Sequence, residues 1–186
     1  TGLATAKYPE GDTPEIIDVV KSATFLFAAG QETVVKLLGS SVRMLAERPD
    51  LQAQLRENPK PVGAFVEESL RMESPTKVDF RLARKTTTLG GVPIKAGTVL
   101  MLCLGAANRD PERFERPDDF DIALPRRASL AFGSGPHVCI GAALTRLEGE
   151  IMLGQLARRW PHLALARPET PDWVPDQPLY RGLRSL

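Results

Sequence analysis

Cysteine is scarce: two residues, Cys103 and Cys139, occur in a chain of 186. No disulfide framework can be built from them, which suits a reducing compartment, so a cytoplasmic protein is expected. Charge of one sign is lacking as well, since 24 Lys and Arg stand against 23 Asp and Glu. With no basic stripe along the chain, the electrostatic footprint of a nucleic-acid binder or of a protein held on an acidic membrane surface is excluded. Apolar runs of membrane-spanning length are missing, and so is a secretory leader, so no membrane segment is expected in this part. Internal repeats are also missing. What is present suffices for one substantial domain over residues 1–186.

Helical periodicity dominates the first part of the chain. Thr13-Pro14-Glu15 has the form of a helix start, with a hydroxyl cap, proline at the first helical position and an acid facing the dipole. The predicted helix runs to about Arg48, where Pro49 stops it, and would be about 50 Å long at about 1.5 Å per residue. Its middle, residues 23–30, is apolar on every side, which predicts a central buried element. Shorter helices are predicted from residue 49 or 50 to 57, and from about 61 to 73 before Ser74-Pro75. The texture then changes to short strands at about 79–81, 86–89, 92–94 and 98–102 around Gly90-Gly91. Residues 105–138 read as mostly irregular, a length of loop that calls for a function. A last helix is predicted over about 140–160, followed by a small strand and an extended tail. The expected fold class is mainly α with a minor β region.

The most informative stretch is Phe132-Gly133-Ser134-Gly135-Pro136-His137-Val138-Cys139-Ile140-Gly141. It sets a lone cysteine at the end of a glycine-rich loop, on the threshold of a helix. Unpaired helix N–H groups and the positive end of the macrodipole favour a thiolate there. Gly133, Gly135 and Gly141 remove side chains where something flat could lie against the backbone. An anionic sulfur offered by a tight loop to a planar partner is what axial ligation of haem iron requires. Taken singly, Cys139 reads more readily as a small buried hydrophobe than as a ligand. A phosphate cradle is a poorer reading, because the Lys-Ser/Thr pair of a P-loop and the third glycine of a dinucleotide fingerprint are missing.

Other clusters carry their own alternatives. In Ala29-Gly30-Gln31-Glu32-Thr33, a glycine stands in a helix interior at a cost of about 1 kcal/mol relative to alanine. Close approach of a ligand is one reason for it, and a small-residue helix crossing beside a solvated Glu32 is another. Thr33 can turn its hydroxyl back to the carbonyl of Ala29 and open a groove. Glu68 and Arg71 share one helical face, which in isolation is an ordinary exposed pair worth about 0.2–0.5 kcal/mol. Arg81, at the first strand, can pair bidentately with a carboxylate or stand exposed without a partner.

Together these motifs resemble those of the cytochrome P450 family. The string from Phe132 to Gly141 is similar to its haem-binding loop at every restricted position. The resemblance implies haem b (iron protoporphyrin IX) with Cys139 as the metal ligand and Phe132, Gly133, Gly135, His137 and Gly141 shaping the loop. Residues 29–33 resemble the oxygen-groove motif, which implies that Ala29 and Gly30 leave room for dioxygen. It also implies that Thr33 orients proton delivery and that Glu32 connects the site to solvent. Glu68-Ser69-Leu70-Arg71 resembles the family's Glu-x-x-Arg structural ion pair, and Arg81 with His137 would hold the haem propionates. The match has departures. Leu124 stands where the family commonly has an arginine completing the ion-pair triad, although Arg126 and Arg127 follow, and Ser129 stands where it often has histidine. Pro111-Glu112-Arg113-Phe114 spells another family tetrad at the wrong distance from Cys139 and is set aside.

The resemblance covers nearly the whole chain and is to the C-terminal half of a soluble bacterial-type member, an incomplete haem-thiolate fold. It implies roughly 200 further N-terminal residues. The expected activity is insertion of one oxygen atom of O2 into a small apolar substrate, with electrons from a ferredoxin- or flavodoxin-like donor, this part by itself being inactive or weakly active. A truncated, non-catalytic haem-binding module is the alternative. Phe25, Ala28, Ala29, Lys77, Val78, Leu179 and Tyr180 are expected to line the substrate pocket, and Cys103 to serve packing in a strand.

Overall fold

Proline and the apolar period set the limits of the helices. The computed structural model describes residues 2–124, 128–166, 172–175 and 177–185. Helix α1 (Ile16–Glu47) is followed by α2 (Pro49–Glu57), which carries its proline in the first turn, and by α3 (Val62–Met72). Four short strands come next, β1 (Asp79–Leu82), β2 (Thr87–Leu89), β3 (Val92–Ile94) and β4 (Val99–Leu102), then the short helix α4 (Leu104–Ala107). Residues 108–124 and 128–141 are irregular apart from a 3-10 turn at Gly135–His137, and α5 (Ala142–Arg159), β5 (Asp172–Trp173) and β6 (Leu183–Ser185) follow. The fold is mainly α with a minor β region, as expected.

Leu37 and Leu45 of α1, Leu51 and Leu55 of α2, Phe65, Val66 and Leu70 of α3, and Leu153 and Ala157 of α5 form one core. Helices α3 and α5 cross closely at Gly149, where a Cβ would lie 3.1 Å from both methyls of Val66. The strands pair antiparallel as β1–β4, β2–β3 and β5–β6. Gly90 and Gly91 close the β2–β3 hairpin with φ of 55° and 81°, a left-handed pair that a tight two-residue turn requires. The tail is laced to the segment after α3: Thr76 bridges Tyr180, Lys77 N–H donates to the Leu179 carbonyl at 2.8 Å, and Arg181 N–H donates to the Pro75 carbonyl at 2.9 Å.

Three expectations are corrected. Helix α1 starts after Glu15, which is extended (φ −62°, ψ 145°), and no side chain caps it. Its first turn is set by the Glu15 carbonyl, which accepts from the N–H groups of Asp18 and Val19, so Thr13 and Pro14 stay outside. Residues 23–30 are exposed rather than buried, with Phe25 and Phe27 at 69% and 70% exposure. The buried positions of α1 are Leu37, Ser40, Ser41 and Leu45, because the other helices pack on its C-terminal half. Cys103 is exposed and lies beyond the end of β4, where it precedes α4.

Gly30 illustrates the open side of α1. A Cβ placed there meets nothing within 4 Å. Gly30→Ala is therefore expected to stabilise this chain by about 0.8–1 kcal/mol through helix propensity. A rise in the urea midpoint at unchanged slope is the check, and a fall would mean that Gly30 packs against something.

Candidate functional site

The cysteine loop is built on backbone bonds that bring its two ends together. Cys139 N–H donates to the Phe132 carbonyl at 2.9 Å, Val138 N–H to Gly135 at 3.0 Å, and Gly133 N–H to Leu130 at 2.9 Å. Gly133 and Gly135 hold φ of 71° and 76°, a region that side chains disfavour. Helix α5 holds the loop from below. Arg146 lies 4.8 Å from the centre of the Phe132 ring and is paired with Glu67 of α3. The hydrogen bond that Arg146 donates to Glu67, against the cost of burial, raises the Arg146 pKa above its ordinary value. The Cys139 thiol is free and exposed, two residues before the N-cap Gly141. A Cβ on Gly141 would sit 3.7 Å from Sγ, so the glycine leaves that side of the sulfur clear.

Cys139 opens into a cleft of about 360 Å³. Helix α1 contributes Phe25, Ala29 and Thr33 to its wall, the loop contributes Phe132, Gly133, His137 and Cys139, and β1 contributes Asp79 and Arg81. Thr33 Oγ1 donates to the Ala29 carbonyl at 2.9 Å, the back-bonded geometry the sequence suggested. Arg81 is not without a partner: it donates to Asp79 at 2.5 Å and to the Phe80 carbonyl at 2.8 Å. Burial works against ionisation of Asp79. The bonds from Arg81 and the Phe80 N–H, with the charges of Arg81 and His137, outweigh it and hold the carboxyl below its ordinary pKa. Gly30, Glu32, Gly135 and Gly141 neighbour the cleft without lining it. Glu32 points to the side of α1, where it pairs with Lys36.

The expected substrate liners divide. Phe25, Ala29 and Tyr180 face the cleft, joined by Thr76 and Leu104. Lys77 and Val78 instead line a second cavity of about 420 Å³ with Cys103, Arg109 and Arg181.

Behind the loop, Glu68 and Arg71 are buried, at 2% and 1% exposure, and joined by bonds of 2.8 and 2.9 Å. Arg71 also donates to the carbonyls of Asn108, Pro117 and Asp119, at 3.0, 2.6 and 3.0 Å. Phe114, in the tetrad set aside above, is buried 5.4 Å from the Arg71 guanidinium. Arg126 and Arg127 lie outside the described residues. Asn108 was not anticipated. Fully buried, it donates to Ser74 Oγ at 2.8 Å and accepts from the Leu130 N–H at 2.6 Å, tying the end of α3 to the start of the cysteine loop. An Asn in a polar, irregular stretch carries no local signal of such a role.

The donor set fits an iron porphyrin. One soft sulfur is open to a metal, Arg81 and His137 offer positive charge to carboxylate side groups, and apolar side chains supply the walls. Among the described residues no group of three or more His, Cys, Asp or Glu could hold a bare metal ion. A single protein sulfur matches a metal whose other ligands come from a macrocycle.

Site and fold together define a haem-thiolate protein. The chain belongs to the cytochrome P450 family of haem-thiolate monooxygenases, whose family model, Cytochrome P450, matches residues 3–173. Cytochrome P450 144 of Mycobacterium tuberculosis is 46% identical over 152 residues, covering 81% of this chain and 35% of that protein. Vitamin D(3) 25-hydroxylase of Pseudonocardia autotrophica is 40% identical over 187 positions, covering 100% of this chain and 46% of the relative. Among solved structures, substrate-free cytochrome P450 CYP150A6 of Mycobacterium marinum superposes with a TM-score of 0.89 at 48% identity, over 98% of this chain and 47% of that one. The chain thus spans half or less of the length of these relatives. Among the described residues no helix is long and apolar enough to cross a membrane.

Proposed function

We propose that this chain is the C-terminal half of a haem-thiolate monooxygenase that inserts one oxygen atom of O2 into a small apolar substrate. One observation carries the proposal: an exposed cysteine thiol, Arg81, His137 and the back-bonded Thr33 of α1 converge on one cleft. Cys139 supplies the sulfur ligand, and Arg81 and His137 bind the propionates. Thiolate-bound haem, once in place, supplies dioxygen activation, because the sulfur pushes electron density onto the metal.

The other roles belong to the chain's own side chains. Thr33 holds a water at its hydroxyl and passes a proton into the cleft, and Glu32, on the solvent side, replenishes it. Phe25, Ala29 and Leu104 form an apolar wall that favours an apolar substrate and excludes bulk water. The exposed residues 23–30 support a cover supplied by a further, N-terminal part of the protein. Without that cover the 186 residues are inactive or weakly active. Electrons come from a ferredoxin- or flavodoxin-like donor docking on the face nearest the cysteine loop.

Thr33→Ala in the haem-loaded full-length protein is the test. Proton delivery by a positioned group contributes about a hundredfold or more. The variant is therefore expected to consume reductant at a retained rate while releasing hydrogen peroxide in place of most of the product. Unchanged product per reductant consumed would remove Thr33 from the mechanism. A full-length protein that shows the thiolate-haem carbonyl spectrum without any turnover would favour the non-catalytic module instead.

A further inference from the structure

We propose that Lys36 is a positioning residue that holds Glu32 in place for proton delivery and ties it to the cleft wall through Tyr180. The proposal rests on the role given to Glu32 and Thr33 above. Glu32 and Lys36 lie four apart on α1 with the acid nearer the N-terminus, the favourable order for an ion pair. An ordinary surface pair of this kind frays, because two long side chains must be held in one geometry for little Coulomb gain. This one is different at the lysine end. The Lys36 side chain is 13% exposed, against 56% for Glu32.

The tail immobilises it. A Cβ on Gly182 would lie 2.7 Å from Lys36 Cγ, so that glycine makes the room in which the lysine stem packs. The ammonium stands 5.0 Å from the centre of the Tyr180 ring, within reach of its π face. Tyr180 is itself fixed by its bridge to Thr76, and both residues line the cleft. Lys36 is therefore a cation anchored at its stem, with the Glu32 carboxylate as its ion-pair partner. Glu32 adjoins Thr33 in sequence, so the anchor sets where the carboxylate waits relative to the hydroxyl that faces the cleft. The contact with Tyr180 makes that placement sensitive to what presses on the cleft wall.

The experiment uses the haem-loaded full-length protein with Lys36→Met, Lys36→Arg and Glu32→Gln. Methionine keeps an unbranched stem against Gly182 and removes the charge. Two quantities are read: product formed per reductant consumed, and, in the resting protein without turnover, the 13C resonance of the Glu32 carboxyl, assigned by its loss in Glu32→Gln. Lys36→Met is expected to displace that resonance and to lower product per reductant about tenfold, part of what a positioned proton donor supplies. Lys36→Arg is expected to restore both. If Glu32→Gln uncouples the enzyme while Lys36→Met leaves coupling and resonance as in the parent, the proposal fails and the role of Glu32 stands. If Lys36→Arg behaves like Lys36→Met, the lysine acts through packing and the proposal also fails. If Glu32→Gln leaves coupling unchanged, the proton-delivery reading falls and takes this one with it.

Discussion

Cys139→Ser in the full-length protein is expected to abolish the carbonyl spectrum of a thiolate-ligated haem and to eliminate turnover. The argument starts from the sulfur. The thiolate is the form of cysteine that binds metal, whereas a serine hydroxyl gives up its proton too reluctantly to be an anionic ligand at neutral pH. The loop should survive the exchange. Its shape rests on backbone bonds, chiefly Cys139 N–H to the Phe132 carbonyl, and on the left-handed Gly133 and Gly135, none of which involves the sulfur. Without haem the thiol is exposed, so the substitution leaves no cavity, and the folding free energy of the haem-free protein should change by no more than about 0.5 kcal/mol. Ferrous-carbonyl spectra and circular dichroism on the same preparations separate the two effects. A Ser variant with a normal thiolate-type spectrum would mean that another group binds the metal. A variant that unfolds would mean that the sulfur is a packing residue.

The limits of α2 and α3 and the β2–β3 hairpin were legible because their signals are local: Pro49, Ser74-Pro75 and Gly90-Gly91 act on neighbouring dihedrals whatever the rest of the chain does. The cysteine loop was legible for the same reason, since its geometry lies within ten residues. Burial was read less well. Residues 23–30, apolar but for Thr24, call for a cover, and the described residues leave them exposed. Lys77 is a finer case: it lines the second cavity and not the cleft, beside a tail held by the pairing of Thr76 with Tyr180, a contact across more than a hundred residues. Asn108 and Gly182 escaped notice because their roles exist only against partners distant in sequence, Ser74 and Lys36. Glu68 and Arg71 stand between these extremes. Their spacing puts them on one face of a helix, but only the irregular segment over residues 108–121 makes that face an interior one.

That burial sets the size of the second large effect. Arg71→Met is expected to destabilise the protein by about 3–5 kcal/mol, since removing one partner of a buried ion pair strands charge and hydrogen-bonding groups where water cannot replace it. The guanidinium bonds the Glu68 carboxylate twice and also serves the carbonyls of Asn108, Pro117 and Asp119. Methionine fills part of the volume and supplies none of these donors. Against a whole-domain stability of about 5–15 kcal/mol, such a loss leaves little folded protein at growth temperature. Arg71→Lys keeps the charge but cannot reproduce a planar fork that reaches several acceptors at once, and should cost about 1.5–3 kcal/mol. Replacing Glu68 and Arg71 together by apolar residues should recover part of the loss, because the buried carboxylate goes too. Recovery stays incomplete, since the three carbonyls still lack their donor. Urea unfolding followed by circular dichroism, with haem retention recorded alongside, measures all three variants. An Arg71→Met protein that unfolds at the parental midpoint would mean that the pair does not hold the segment behind the cysteine loop.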